Sequence, residues 1–359
     1  MSLDPTDPHG GPPVDAATLL AEADGAEALA RRLREGAVRD LLIPDAARLD
    51  DRRRAALRTL LRAIVGTIGA DIHEFALRRL RREDEGAATA LAGVAAPRIL
   101  SQIEHRLARK GEVAADLIGR VTLDLIGAAL PSGVVESVPP FAPAGHAAER
   151  AASALRLAES RRRTPPDQPP YAIDLPAESQ AQFTWWIAAA IAEEAAAPAD
   201  SAAAIDRALA DGAVQALSQA DEGERLEAAA MRLAGLADRR GPALAEAMDH
   251  CLAERRIVLL AALIAHAAGA PYEAVRGLIV EPADPRLWLL LRSLDLPRES
   301  IARVGYSLSE ADRRRDLERF ADQLDIMMAL PAVAVTKAIA ALRLPQGYRD
   351  VRLDGPAGS

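Results

Sequence analysis

The chain has 359 residues, room for two or three domains of about 150 residues each, and half of it is hydrophobic while only 3% is aromatic. A formal charge of -8 at pH 7 argues against a general nucleic-acid binder, and the lone Cys251 excludes an intramolecular disulfide framework. A core without aromatics must be filled by Leu, Ile, Val and Ala, and alanine has the best intrinsic helix propensity.

In chain order, residues 1–14 are rich in Pro and Gly and lack periodicity, which predicts a disordered tail with no secretory signal pattern. An N-terminal helical domain is expected over 15–130. Its longest helix should span about 49–83, with Leu57, Leu60, Leu61, Ile64, Val65, Ile68, Ile72 and Phe75 on one stripe. His73 and Arg62 fall on the opposite, exposed face. The helix after Pro97 carries Ile99, Leu100, Ile103 and Leu107 on one side and His105 on the other. A third helix should run from Val113 to Leu130, with Leu117, Val121 and Leu125 turned inward.

Residues 131–171 read as a Pro-rich linker holding one helix, about 146–163, that ends in Arg161, Arg162 and Arg163. A C-terminal helical domain is expected over 172–349, and a flexible tail over 350–359. Within the C-terminal domain, Trp185 and Trp186 open a helix beside Phe183. Neighbouring helical residues diverge by about 100°, so one ring should pack while the other is free to anchor a partner. Pro271, Pro285, Pro297 and Pro331 look like first-turn residues, Asp284 like an N-cap, and Gly269 like a C-terminal stop. Ser309 and Asp312 suggest a capping box for a helix over about 309–328. Ile257 to Ala270 is too short to cross a bilayer and reads as a buried helix, with His266 at its end. The short helices and two- to four-residue connections suggest stacked antiparallel helices, repeat-like in part. The fold class is all-α.

Dinucleotide, Walker, GxSxG, HExxH and paired CxxC signatures are missing. His250 and Cys251 are adjacent on a helix and diverge too far to share a metal, so no metal and no cofactor is expected. The basic runs Arg52–Arg54, Arg78–Arg82, Arg161–Arg163 and Arg313–Arg315 have acidic neighbours and read as solvated helix faces. The expectation is a non-enzymatic helical scaffold or regulatory protein of the cytoplasm, not in a membrane, that binds another protein and has room to form a homodimer. The competing expectation is a signalling protein that accepts phosphate on His73 or His105.

Four elements in residues 226–345 carry a resemblance. They are an Arg-then-apolar helix (Arg256 to His266), a Pro-aromatic helix start (Ala270, Pro271, Tyr272 to Val275), an acidic turn (Glu281 to Pro285) and the start Leu296-Pro297-Arg298. With the earlier stretch Leu49 to Ile72, they resemble the bacterial domain of unknown function 2336 family. The HEAT-like units of that family are weak before the Pro-rich segment. The resemblance implies an all-α bacterial cytoplasmic protein and carries over no catalytic residue.

Overall fold

The structure, a computed structural model, describes residues 49–94, 96–133, 145–163, 173–195, 199–219, 221–237, 240–282, 284–345 and 348–349. The expected tails, the helical stretch before Leu49 and most of the two Pro-rich segments lie outside the described residues. All the described helices belong to one unit, Asp51–Ser359.

Among the described residues there are fifteen α-helices and no strand. They are α1 (Asp51–Glu83), α2 (Glu85–Ala92), α3 (Ala96–Leu107), α4 (Gly111–Ala129), α5 (His146–Arg163), α6 (Ala177–Glu194), α7 (Ala199–Ser218) and α8 (Leu226–Ala234). There follow α9 (Gly241–Ala253), α10 (Ile257–Ala268), α11 (Tyr272–Val280), α12 (Arg286–Arg292), α13 (Arg298–Ala311), α14 (Leu317–Ala329) and α15 (Ala332–Ile339). The all-α class predicted from alanine content and periodicity is what forms.

The helices enclose two cores. The first is built on the α1 stripe: Leu60, Leu61, Ile64, Val65, Ile68 and Ile72 pack with Ile103 of α3, Phe183 and Ile187 of α6, and Leu209 of α7. Small residues set the spacing of this layer. A Cβ on Gly212 of α7 would stand 3.0 Å from the Ile72 carbonyl oxygen, so α1 and α7 approach closely there. The second core surrounds α10, on which only His266 and Ala267 are not buried. Gly269 ends α10 at φ 63°, a left-handed conformation that suits glycine, and here the expected stop is the observed one.

Helix α4 serves both cores. Leu117 and Val121 face the first, and Leu123, Ile126 and Leu130 face the second. At 100° per residue these two sets lie on opposite sides of one helix. The cores do not divide at the Pro-rich segment. Helices α6 and α7 follow it yet complete the first core, while α5, between its two halves, packs into the second.

Some local expectations require correction. Ser309 starts no helix; α13 runs through it to Ala311. The next helix, α14, starts at Leu317, and Asp316 caps it by accepting from the Arg319 N–H at 2.9 Å. Asp312 instead accepts from Arg314 at 2.7 Å, so the acidic residue was spent on a turn. Pro271, Pro285, Pro297 and Pro331 each sit one place earlier than expected, as the cap residue before the first helical position. Asp284 does support the start of α12, accepting from the Arg286 N–H at 2.9 Å.

Candidate functional site

The two histidines differ. His105 is exposed on α3, on the side away from the buried Ile103 and Leu107. His73 is not on an open face: its ring is half-buried, with Nε2 3.0 Å from the Leu91 carbonyl oxygen of α2. The helical wheel of α1 placed it opposite the main stripe, but α2 folds back over that side.

The aromatic pair splits as the 100° divergence requires. Phe183 is fully buried, and Trp186 packs edge-on against it, centroids 5.4 Å apart at 78°. Trp185 is 44% exposed.

The strongest concentration of charge was not legible in the sequence. Arg162, the middle residue of the run that closes α5, has a largely buried side chain. Its Nη1 donates to Glu227 of α8 at 2.6 Å and to Asp174, in the segment before α6, at 3.1 Å. Its Nε donates to Asp124 of α4 at 3.2 Å. Arg120 donates to the Asp174 carbonyl oxygen, and Arg225 Nη2 lies 3.5 Å from Glu227 Oε2. The remaining Asp174 oxygen accepts from the Leu226 N–H at 3.3 Å. That bond serves the start of α8, whose own cap residue, Arg225, offers no acceptor.

Three arginines thus meet three carboxylates, with no net charge, where α4, α5, the α6 entry and α8 converge. Burial alone would lower the Arg162 pKa, but Asp124, Glu227 and Asp174 more than reverse this and hold the guanidinium well above its ordinary value. Burial opposes ionisation of Glu227 too, yet Arg162, Arg120 and Arg225 pull its pKa down to about 2. Asp174, the more distant claimant on Arg162, moves the other way: burial and the neighbouring Glu227 charge raise it.

The other triple-arginine runs repeat the pattern. Arg53 is buried beside Asp312 at 3.4 Å. Arg315 is buried, lies 5.6 Å from the centre of the Trp288 ring, and donates to the Ile279 carbonyl oxygen. Arg314 donates to the Val280 carbonyl oxygen at 2.9 Å. These two cations satisfy the carbonyls that end α11, where the helix dipole is negative. The expectation that every such run is a solvated face therefore fails at one position in each of these three. For the two runs that lie on helices a signal was available in the run itself: three successive residues span about 200° of a helix, so all three cannot share one exposed face. Arg313–Arg315 lies instead in the turn between α13 and α14.

Clefts open on both sides of the Arg162 cluster. One, of about 260 Å³, lies towards the first core and is lined by Thr67, Asp71, Gln180, Asp221 and Arg225 among others. Burial, and secondarily Glu74, raise the Asp71 pKa. The other, of about 460 Å³, lies between α4, α5 and the α9–α10 turn. Among the described residues no group of His, Cys, Asp and Glu is arranged to hold a metal. Cys251 is buried, and burial pushes its thiol pKa up to about 12.

At the C-terminal end, α14 and α15 meet at a bend of 118°. Each packs one side on the second core, through Phe320, Leu324 and Met327 and through Ile339. Around the bend, Ile326 is 67% exposed and Val333 82% exposed, with Ala329, Ala332 and Ala334 exposed between and beside them. Among the described residues no single helix is long and apolar enough to cross a membrane; only this bent pair passes together on length and composition.

Comparison with family models, curated proteins and solved structures finds no match to this chain.

Proposed function

We propose that this chain is a non-enzymatic helical interaction protein of a bacterial cytoplasm, related to the domain of unknown function 2336 family, that binds another protein. The observation that carries the reading is the apolar surface around the α14–α15 bend. Ile326 and Val333 are large hydrophobic side chains left 67% and 82% exposed, in helices whose opposite sides are already packed. Single exposed hydrophobics are common on any surface, but two such residues with three exposed alanines around one bend form a patch. Trp185, on α6, offers a second, separate anchor of the aromatic type that dominates binding energetics.

The test is site-specific photocrosslinking in the native cell. A photoreactive residue replaces Val333 in one sample and Arg62, exposed on α1, in another. A discrete cross-linked product with one different protein, formed from position 333 and not from position 62, is the expected result. Equal, diffuse labelling from both positions would reject it, as would a product containing only a second copy of this chain. Acid-labile phosphate accepted by the purified chain and lost in His105→Ala would replace it with a phosphotransfer role.

A further inference from the structure

The cleft between α4, α5 and the α9–α10 turn carries an inference that does not depend on the protein-binding reading. The cleft of about 460 Å³ adjoins a second of about 540 Å³, and the two share Glu159, Arg163, Glu254 and Arg256. Together they are lined by five arginines and three carboxylates, in a chain whose net charge is -8.

The three carboxylates are already engaged. Asp124 pairs with Arg162 at 3.1 Å, Glu159 with Arg256 at 2.8 Å, and Glu254 lies 3.5 Å from Arg256. That leaves Arg156, Arg163 and Arg255 without a carboxylate partner among the described residues. Arg156 and Arg255 meet only serine hydroxyls, at 2.9 and 3.4 Å. The uncompensated charge faces the cleft.

Arg255 adds an independent observation. It follows Glu254, the cap residue that ends α9, and has φ 58°. The N–H of Arg256 donates back to the Cys251 carbonyl at 2.8 Å and that of Arg255 to Leu252 at 3.1 Å. This is the helix-ending turn in which glycine is the preferred residue, because a Cβ is strained there. An arginine in this place accepts backbone strain and puts a guanidinium at the mouth of the cleft. Strain of this kind persists where the surrounding structure imposes it, and it concentrates at binding sites.

The lining also has an apolar part: the exposed Ala128 of α4, with the outer edges of the largely buried Ile257 and Val258 in the first turn of α10. Helix α10 starts without a capping side chain, so its positive end adds to the field of the arginines. A volume of this size exceeds what a bare phosphate ion fills and falls in the range of small-molecule sites.

We infer that this cleft binds a small organic phosphate, its phosphoryl group held by Arg163 and Arg255 and its organic part lying on Ala128, Ile257 and Val258. Phosphate geometry matches two guanidinium forks, and the apolar floor distinguishes an organic ester from the free ion.

Calorimetric titration of the full chain with phenyl phosphate and with inorganic phosphate tests the assignment. Phenyl phosphate should bind at least about ten-fold more tightly than inorganic phosphate, and Arg163→Ala and Arg255→Gly should each weaken it about ten-fold, the loss expected for one charge-assisted contact. Arg62→Ala, remote on α1, should leave it unchanged. Arg255→Gly should not lower Tm, since it relieves the left-handed strain; a loss of affinity without a loss of stability separates ligand binding from a structural role. No binding of phenyl phosphate at millimolar concentration overturns the inference. So does equal binding by wild type and both cleft variants, or an equal loss in Arg62→Ala.

Discussion

Arg162 of α5 and Glu227 of α8 meet at 2.6 Å with each side chain only 7% exposed. The contact joins parts of the chain 65 residues apart, and Asp174 and Asp124 complete the shell around the same guanidinium. Such a cluster adds less net stability than its distances suggest, because desolvation offsets most of the attraction. Its removal in part is another matter. Arg162→Met would take the nearest cation from Glu227 and Asp174 at a buried junction, leaving only Arg225 and Arg120 beside them, and should destabilise the fold by about 3 kcal/mol in urea denaturation. Combined with Glu227→Gln it should cost less than the sum of the two single changes, by about 1 to 3 kcal/mol. Strict additivity would show that the two side chains are not coupled.

The same cluster sets an acid limit. Glu227 has its pKa lowered from 4.5 to about 2 in the folded protein. A carboxylate with a depressed folded pKa binds protons more readily when unfolded, so its stabilisation is present above the unfolded value and is lost as pH falls. The window for Glu227 is therefore between pH 4.5 and about 2. Asp174, raised by burial, has the opposite sign and flattens the slope. Denaturation midpoints of wild type and Glu227→Gln, measured across this window, should converge as the pH drops. Parallel curves would contradict the assignment.

Close helix contacts predict which glycines tolerate a methyl group. A Cβ at Gly305 of α13 would stand 2.2 Å from the Phe320 ring, and one at Gly127 of α4 would stand 2.5 Å from Ile257 Cγ2. Alanine at either place should cost about 1 to 3 kcal/mol through overpacking. Gly66, within α1 and with nothing inside 4 Å, should behave in reverse. There alanine reduces the freedom of the unfolded chain and should stabilise by about 0.5 to 1 kcal/mol. Urea midpoints of the three variants decide the matter.

The aromatic pair on α6 gives a comparison within one turn. Phe183 is fully buried and Trp185 is 44% exposed. Phe183→Ala should cost about 3 to 5 kcal/mol as a cavity forms, whereas Trp185→Ala should stay within about 0.5 kcal/mol in thermal unfolding. A large loss from Trp185→Ala would mean that this ring belongs to the core and is not available to a partner.

Cys251 should be inert in the folded protein. It is buried, and its thiol pKa is raised to about 12. Labelling by a disulfide reagent at pH 8 should track global unfolding, because only the thiolate reacts and the reagent has no access. Rapid stoichiometric labelling of native protein would contradict this.

Several of the helices were legible from pattern alone. The α1 stripe, the Gly269 stop and the buried run of α10 each rest on a local rule: side chains four apart share a face, and glycine tolerates positive φ. Cap positions were less legible. Ser309 and Asp312 have the spacing of a capping box, but the apolar face of α13 carries its helix through Ser309 because Val304 and Leu308 are buried in the second core. The exposed face of His73 was misjudged for a related reason. A helical wheel distinguishes the strongest stripe from the rest and does not register a short helix such as α2 folding over the other side.

By itself, then, the order of residues determined which stretches coil and which of their faces are apolar, since both depend on neighbours within a turn or two. Which core each helix joins, and which arginine of each triplet is buried, were decided by the tertiary fold. Arg162 is no different from Arg161 or Arg163 until α4, α8 and the α6 entry bring Asp124, Glu227 and Asp174 around it. Charge is a property of a residue, but desolvation and pairing belong to positions in space, and residues far apart in the chain fix those positions.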